Sequence, residues 1–212
     1  VDSMNVGLAS MANANPCTDI ANIGKMHEMT TKELAEMMHS GEIIEAAIGL
    51  AAINASLDRD KLRNRLVNIN AIDILLEKGQ GKNVSIIGHF PFAEKLIKNK
   101  SCKNVWVFEL NPKSPDDLSS DLFPKFVPQS DVVLISGTTL INHTFHDISG
   151  LCKDSYNILL GPSTPLTPSL FDFGINAICG AIVTDREKAK LSFSQGARYR
   201  EAEGIEFVSL TD

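Results

Sequence analysis

Apolar residues recur at helical spacing through the first third of the chain. The segment 30–41 opens with Thr30 three residues before Glu33, which is the spacing of a capping box. The segment 42–57 is rich in alanine and has apolar residues at the same spacing, which predicts a helix packed closely against another surface. A further helix is predicted over 61–79, because five apolar residues fall on one face: Leu62, Leu66, Ile69, Ile72 and Leu76.

From residue 84 onward the pattern changes to short runs rich in β-branched residues. The runs are continuously apolar rather than alternating, which is typical of strands buried on both faces of a sheet. Most runs are separated by segments long enough for a helix, such as 91–100 and 139–154. Strand and helix in alternation predict a doubly wound, Rossmann-like parallel α/β sheet. The predicted strands are 84–88, 105–109, 131–137, 156–161 and 177–183.

Composition narrows the class of protein. With 43% apolar and 22% charged residues, the chain has the balance of a soluble globular protein. A net charge of −6 and the lack of a clustered basic stretch argue against a nucleic-acid-binding surface. No apolar run in the sequence reaches the roughly 18 residues that a membrane-spanning helix requires. The four cysteines lie far apart without a C-x-x-C pair, which favours reduced thiols and a cytoplasmic protein.

The ends of the predicted strands indicate where a ligand binds. In an open parallel sheet, ligands bind outside the carboxyl ends of the strands, near the point where the strand order reverses. We therefore expect the small, polar and acidic residues at four strand ends to form one site. These residues are Gly88, His89, Phe90 and Pro91 after the first strand, Glu109 after the second, Thr138, Thr139 and Asn142 after the third, and Gly161, Pro162, Ser163 and Thr164 after the fourth.

The loop that follows the fourth predicted strand, "GPSTPLTP" at 161–168, contains three prolines. Because proline fixes φ and removes a backbone donor, the loop is expected to hold Ser163 and Thr164 rigidly without an ordering cost on ligand binding. The alternative interpretation is a stiff connector that contacts no ligand.

Glu109 and the first loop constrain the kind of ligand. Glu109 follows Gly88 by 21 residues, a spacing at which an acidic side chain commonly accepts hydrogen bonds from a ribose. A solvated or helix-capping carboxylate is the alternative. The loop "GHFPFAE" has one glycine where the dinucleotide fingerprint has G-x-G-x-x-G, which disfavours classical NAD binding. A nucleoside-like or smaller anionic ligand is compatible with this loop.

Few residues suggest a metal site. His143 and His146 are spaced i, i+3, so on a helix both can project to one side and share a metal. A pair of exposed helix histidines is the alternative, since the sequence fixes no third ligand. His89 is the histidine expected in the site loop, and Cys17 is either a soft ligand or a loop thiol.

Several segments together resemble a prokaryotic family of uncharacterised proteins labelled "putative heavy-metal chelation". The resemblance is strong over 84–196 and looser in "GLAS" and "EAAIGLAAINA" near the start of the chain. The segments that carry it are "VSIIGHFPF", "VWVFELNP", "DVVLISGTTLINHT", "LLGPSTPLTPSLFDFGINAICGAIVTD" and "SQG".

The resemblance implies an enolase N-terminal-like α+β domain followed by a Rossmann-like domain. We accordingly expect a partial first domain over 1–64, lacking its first strands, and a Rossmann-like domain over 65–212. The resemblance implies a pocket between the two domains, lined by the strand-end loops. On this chain it carries over Gly88, Phe90, Pro91, Glu109, Thr138, Thr139, Asn142, Gly161, Pro162, Ser163 and Pro165. A divalent heavy metal is implied as the ligand, with His89 and Glu109 as its expected protein contacts.

Three functions follow as alternatives. One is a cytoplasmic protein that binds or delivers a heavy metal or a metal complex. Another is an enzyme or sensor for a small nucleoside-like or anionic ligand, with Glu109 contacting hydroxyl groups. A third is a non-catalytic scaffold whose alanine- and methionine-rich helical faces support a homodimer. No nucleophile and base are paired in the sequence, so enzymatic activity is neither predicted nor excluded.

Overall fold

The computed structural model describes residues 1–11, 19–99, 101–112 and 114–212. The described residues form a seven-stranded sheet. Its strands are Asn83–Ile87 (β1), Asn104–Phe108 (β2), Asp117–Leu118 (β3), Val132–Ser136 (β4), Tyr156–Leu160 (β5), Ala177–Val183 (β6) and Ile205–Thr211 (β7). Their order across the sheet is β3-β2-β1-β4-β5-β6-β7, and neighbouring strands are parallel except for the antiparallel pair β6 and β7. The predicted Rossmann-like parallel sheet is confirmed.

The α-helices in the described residues are Thr31–Glu36 (α1), Ile43–Ser56 (α2), Ala71–Gly79 (α3), Ala93–Asn99 (α4), Phe123–Phe126 (α5), Thr138–Ile141 (α6), Phe145–Leu151 (α7) and Arg186–Ser194 (α8). The capping box predicted from the sequence is present at the start of α1. The Thr30 side chain accepts a hydrogen bond from the Glu33 backbone N–H, and the Glu33 carboxylate accepts one from the Thr30 backbone N–H.

The sheet is buried on both faces, as its continuously apolar strands predict. On β4, Val132 and Leu134 pack into a cluster with α3 and α4, whereas Val133 and Ile135 pack into a second cluster with α7 on the opposite face. All four side chains are fully buried. Each such side chain contributes roughly 1.5–3 kcal/mol by leaving water, so the paired faces account for much of the stability of the sheet.

Helix α2 packs closely against the chain around it, as its small residues predict. Ala46, Ala47 and Leu50 are buried against Ile141 of α6. A Cβ atom at Gly49 would lie 2.1 Å from the backbone nitrogen of Met38, so only glycine allows this approach. The alanine-rich sequence of α2 is therefore explained by close backbone contacts on its buried side.

Two predicted helices differ from the structure. The helix predicted over 61–79 is wrong in its first half, because the Val67 N–H and C=O both pair with Ser209 of β7, at 2.9 and 2.8 Å. Helix α3 begins only after Asn70, whose side chain caps it by accepting a bond from the Ile72 N–H. The helix predicted over 139–154 is interrupted at His143, which has a φ of 61° and separates α6 from α7.

The described part of 1–64 is mainly helical, with α1, α2 and short 3₁₀ helices at Met26–Glu28, Met37–His39 and Asp60–Leu62. The enolase N-terminal-like fold of this part stays a prediction, as does the domain boundary at residue 64. None of the helices in the described ranges is long and apolar enough to cross a membrane.

We predict that Gly49→Ala destabilises the protein while Gly150→Ala does not. The new methyl group at position 49 would meet the Met38 backbone, an overpacking that is expected to lower the free energy of unfolding by about 3 kcal/mol. Gly150 lies in α7 with open space around its Cα, so alanine there should be neutral or add up to about 1 kcal/mol. Urea unfolding measures both values, and equal effects of the two substitutions would contradict the close packing of α2.

Candidate functional site

A cavity of about 370 Å³ lies at the carboxyl ends of β1, β2, β4 and β5. This is the place where the strand order reverses, between β1 and β4. Most of the residues predicted for the site line the cavity, whereas Pro91, Thr164 and Pro165 do not. The lining residues that the sequence predicted are Gly88, His89, Phe90, Glu109, Thr138, Thr139, Asn142, Gly161, Pro162 and Ser163.

Glycine allows the ends of β1 and β4 to approach each other. Gly88 has a φ of +104°, a backbone conformation that side chains disfavour, and a Cβ atom there would lie 3.0 Å from the Cβ of Ser136. The glycine N–H groups at these strand ends are all used inside the protein. They donate from Gly88 to Phe108, from Gly137 to Leu160 and from Gly161 to Cys179, each to the backbone carbonyl, at 2.7–3.0 Å.

Glu109 ties the end of β2 to the loop after β1. One carboxylate oxygen accepts the His89 N–H at 2.9 Å, and the other accepts the Leu110 N–H at 2.9 Å. The carboxylate therefore occupies the backbone donor that a phosphate would use in a dinucleotide-binding loop. The oxygen that accepts from Leu110 also lies 3.4 Å from the Asn111 backbone nitrogen, whose N–H points to it.

His89 is oriented by a carboxylate that the sequence did not reveal. Its Nδ1 atom lies 2.9 and 3.1 Å from the two carboxylate oxygens of Asp117, which also accepts the Ser114 N–H at 2.9 Å. The Asp117 side chain is 2% exposed and the His89 side chain 15% exposed. Because a carboxylate only accepts, Nδ1 carries the proton, and in the neutral ring Nε2 keeps its lone pair. Nε2 is therefore the atom of His89 that can act as a base or bind a metal.

The hydroxyl and amide groups after β4 mostly bond to one another. Thr139 donates to the Ser136 carbonyl at 2.7 Å, and the Asn142 side-chain oxygen accepts from the Thr144 hydroxyl at 2.7 Å. The hydroxyls of Ser136 and Thr138 lie 2.8 Å apart. Thr139 and Asn142 thus stabilise the loop through these bonds. The hydroxyls of Ser136 and Thr138 bond to each other and line the cavity, so they are the hydroxyl groups best suited to contact a ligand.

The proline-rich loop after β5 holds the beginning of the chain in place. The buried Ser163 hydroxyl accepts the Ser10 N–H at 2.8 Å, and the Ser163 carbonyl accepts a side-chain N–H of Asn54 at 3.1 Å. The same Asn54 amide donates to the Leu8 carbonyl at 2.9 Å. Thr164 is buried behind the cavity wall, and its hydroxyl has no hydrogen-bond partner among the described residues. Ser163 therefore lines the cavity and also binds the beginning of the chain.

Residues far away in the sequence complete the cavity. Ser10, Ile43 and Tyr199 line it together with the strand-end loops. Burial raises the pKa of Tyr199, and a hydrogen bond with the Ser10 side chain opposes that rise in part. No sequence signal marks these three residues, because their position depends on how the first helices and the segment after α8 pack onto the sheet.

The cavity walls are aromatic and carry negative charge. Phe90, Phe108 and Phe123 line the cavity, as do Glu109 and the Asp117-bound ring of His89. Lysine and arginine are absent from its lining in the part of the chain that the structure describes. Among the described lining residues, an anionic ligand would therefore meet no cationic side chain.

The other predicted metal contacts do not come together. His143 lies between two helices and its Nε2 contacts the Ser40 carbonyl at 2.8 Å, whereas His146 is exposed on α7, so the two do not share one helix face. Cys17 lies outside the described residues. Within the described ranges, no group of three or more His, Cys, Asp or Glu side chains is placed to hold a metal.

The remaining cysteines are poor metal ligands. Burial raises the pKa of Cys152 to about 12 and that of Cys179 to about 11, which keeps both thiols protonated near neutral pH. Both are free in the interior of the fold, as is Cys102.

The fold and cavity define a Rossmann-like α/β protein with a candidate ligand site at the strand ends. The sequence pattern of the family described as "Putative heavy-metal chelation" matches residues 70–208, and a second pattern with the same description matches residues 1–57. The chain belongs to this family, and the resemblance found in its sequence is confirmed.

The similar proteins include one described as uncharacterised and two of unknown function. An uncharacterised protein of Methanocaldococcus jannaschii is 31% identical over 164 residues, which cover 76% of this chain and 63% of the relative's length. The crystal structure of a protein of unknown function from Desulfitobacterium hafniense has a TM-score of 0.82 at 24% identity and covers 99% of this chain and 85% of that chain. One from Pyrococcus horikoshii has a TM-score of 0.81 at 23% identity, with 98% and 84% covered. The two crystal structures support the fold.

We predict that Asp117→Ala changes the tautomer of His89. Without the carboxylate, Nδ1 loses its acceptor, and the proton of the neutral ring should move to Nε2 in most molecules. Long-range ¹H–¹⁵N spectra of the neutral imidazole distinguish the two ring nitrogens. Asp116→Ala removes an exposed neighbouring carboxylate and should leave the tautomer unchanged. An Nε2-protonated ring in the unsubstituted protein would contradict the assigned arrangement.

We also predict that Asn54→Ala lowers the free energy of unfolding by about 3 kcal/mol. The substitution leaves the Leu8 and Ser163 carbonyls without their donor in the interior and removes buried atoms. Asn64→Ala, at an exposed position, is the matched control and should change the value by less than about 0.5 kcal/mol. Urea unfolding gives both numbers, and a loss at Asn54 as small as that at Asn64 would mean that this contact does not hold the two segments together.

Proposed function

We propose that the cavity binds a divalent heavy-metal cation as a complex with a small organic ligand. In this proposal the cavity is a cleft between a first domain over 1–64 and the Rossmann-like domain over 65–212. Ser10 and Ile43 of the first segment line the cavity together with the strand-end loops, which supports that position. The family description suggests that the ligand contains a heavy metal. The geometry of the cavity suggests that the metal is bound as a complex.

The observation that carries the proposal is the His89 imidazole at the cavity, held by a carboxylate. Asp117 lies directly behind His89 with its carboxylate almost fully buried, and Glu109 lines the cavity beside it. Imidazole nitrogen and carboxylate oxygen are protein groups that bind divalent metals. A metal or a metal complex is therefore the ligand that these groups support.

The number of protein donors favours a complex over a bare ion. Among the described lining residues, His89 Nε2 and the Glu109 carboxylate are the two groups that suit a divalent heavy metal. The Asp117 bond to Nδ1 matches the usual partner of a metal-bound histidine, which orients the ring and raises its basicity. Two protein donors leave at least two positions of a four-coordinate metal to other atoms. An organic chelator supplies those atoms, and a cavity of about 370 Å³ has the size of a small-molecule site.

An uncharged nucleoside-like ligand is the second candidate, and the position of Glu109 at the end of β2 favours it. A carboxylate there can accept hydrogen bonds from a ribose diol. An anionic ligand and classical NAD are disfavoured, because the strand-end glycine N–H groups and the His89 N–H already have acceptors inside the protein.

The setting of the proposed function is cytoplasmic. The three described cysteines are buried and free, which suits a reducing compartment. We also propose that the protein forms a homodimer. The molar mass measured by sedimentation equilibrium tests this.

We predict that His89→Ala and Glu109→Gln each weaken metal binding at least tenfold. Each variant removes one of the two protein donors. Loss of a metal ligand, or of a residue that orients one, typically lowers metal affinity by at least this factor. The probes are Ni²⁺ alone and the equimolar complexes of Ni²⁺ with ethylenediamine and with 2,2′-bipyridine, measured by calorimetric titration. Ni²⁺ suits an imidazole ligand and forms stable complexes with both chelators.

His146→Ala is the matched control, because that histidine is exposed on α7 and outside the cavity. It should leave the affinity unchanged within a factor of two. The proposal is contradicted if no form of Ni²⁺ binds, or if the His146 variant loses as much affinity as the His89 variant. If adenosine binds and Ni²⁺ does not, the nucleoside-like candidate replaces the metal complex.

A further inference from the structure

The Phe90 ring gives the cavity a flat wall that is supported from behind. It stacks on the Phe92 ring, with the two centroids 5.3 Å apart and the two planes 18° from parallel. Phe92 is buried in the core, whereas Phe90 is partly exposed and lines the cavity. Because Phe92 covers one side of the Phe90 ring, the orientation of that ring is held before a ligand arrives. An aromatic wall of this kind suits a flat ring that stacks on it.

The hydroxyl groups of Ser136 and Thr138 carry one more proton than the protein uses. Their oxygens lie 2.8 Å apart, so one O–H donates to the other. Ser136 Oγ also accepts the Thr138 backbone N–H at 3.3 Å. Whichever hydroxyl donates within the pair, the second O–H has no acceptor among the described residues. Both residues line the cavity, so this second O–H can donate to an acceptor atom of a ligand.

The aromatic wall and the hydroxyl pair lie beside the same part of the cavity. A Cβ atom at Gly88 would lie 3.6 Å from Phe90 Cε2 and 3.6 Å from Ser136 Oγ. Position 88 is a glycine, so the space between these two groups is left open at the end of β1. One small ring system can therefore reach both of them.

The remaining lining favours an uncharged ring. Lysine and arginine are absent from the described lining, so a phosphate or carboxylate on the ring would meet no cationic side chain. A ring that is protonated at its edge would present a donor where the second O–H requires an acceptor. Ile43 and Phe123, which are both partly exposed, add apolar surface to the walls.

We propose that the cavity binds an uncharged, planar nitrogen heterocycle, which stacks on Phe90 and accepts a hydrogen bond from the Ser136–Thr138 hydroxyl pair. Such a ring has apolar faces and has its acceptor atoms in the ring plane, so one molecule can make both contacts. Nucleobases and other fused bicyclic heterocycles belong to this class. The inference goes beyond the proposed function, since it requires no metal and rests on groups other than the proposed metal contacts.

The test uses two uncharged bicyclic rings of the same shape, benzimidazole and indole. Both have a ring N–H, and benzimidazole has in addition a ring nitrogen that accepts a hydrogen bond. Benzimidazole is expected to bind about 3–10-fold more tightly, because it gives the second O–H of the pair an acceptor that indole lacks. NMR chemical-shift titration of the whole ¹⁵N-labelled chain, in metal-free and mildly alkaline buffer, gives both dissociation constants.

Two sets of variants separate the stacking contact from the hydrogen bond. Phe90→Leu removes the ring and should weaken the binding of both compounds about 3–10-fold while keeping the preference for benzimidazole. Phe90→Tyr keeps the ring and should retain both affinities. The double variant Ser136→Ala/Thr138→Val removes both hydroxyls and should make the two affinities equal, by weakening the binding of benzimidazole.

Matched controls lie outside the cavity. Phe173→Leu replaces an aromatic ring that is 53% exposed. Thr167→Val/Ser169→Ala removes another pair of threonine and serine hydroxyls, whose oxygens lie 3.3 Å apart. Both controls should leave both affinities unchanged. Thermal unfolding verifies that each variant is folded.

The outcomes for this inference and for the proposed function are separate. Equal affinities of the unsubstituted protein for benzimidazole and indole overturn the inference, as does a lack of binding by both. A preference that persists without the two hydroxyls, or a loss in Phe90→Leu no larger than in Phe173→Leu, overturns it as well. The metal proposal is unaffected by these results, because its test is the binding of Ni²⁺. A preference that is lost only with the hydroxyl pair, together with weaker binding of both rings in Phe90→Leu, supports the inference even if Ni²⁺ does not bind.

Discussion

The cavity depends on one buried contact, in which Ser163 and Asn54 hold the beginning of the chain against the sheet. The Ser10 N–H donates to the Ser163 hydroxyl, and the Asn54 amide donates to the carbonyls of Ser163 and Leu8. These bonds lie largely away from water, where an unmade hydrogen bond costs more than a made one contributes. Ser10 itself lines the cavity, so these bonds hold part of the cavity lining in place.

The same loops that build the cavity also determine its charge. In a dinucleotide-binding site, the backbone N–H groups after β1 point at a phosphate. Here the His89 N–H points at the Glu109 carboxylate, so a fixed negative charge takes the place of the bound anion. Asp117 adds a second carboxylate behind the His89 ring. In the proposed function, these few side chains at the strand ends adapt a Rossmann-like architecture to a metal complex.

Sequence patterns predicted the parts of this site that depend on regular structure. The continuous apolar strands indicate a parallel sheet, and the rule that ligands bind at its carboxyl edge leads directly to Gly88, Glu109 and Gly161. Asp117 could not be found in this way, because β3 has two residues and follows a polar loop without a pattern. Tyr199 depends on tertiary packing, which no local pattern encodes.

The histidine spacing illustrates the limit of a periodicity argument. His143 and His146 have helical spacing, yet the chain adopts a left-handed conformation at His143, and the Asn142 side chain bonds to Thr144 instead of continuing the helix. Local side-chain bonds of this kind compete with the helix and are not visible in the apolar pattern. Conversely, the His89–Asp117 pair shows that one histidine oriented by a buried carboxylate is chemically more informative than two at a suitable spacing.

The most direct test of the account is the position of the metal in a crystal. Crystals soaked with the Ni²⁺–bipyridine complex and measured at the nickel absorption edge would locate the ion by its anomalous scattering. The account predicts a peak in the cavity about 2.1 Å from His89 Nε2, the usual length of a bond from a divalent metal to imidazole. Peaks found only at exposed histidines such as His27 and His146, with none in the cavity, would contradict it.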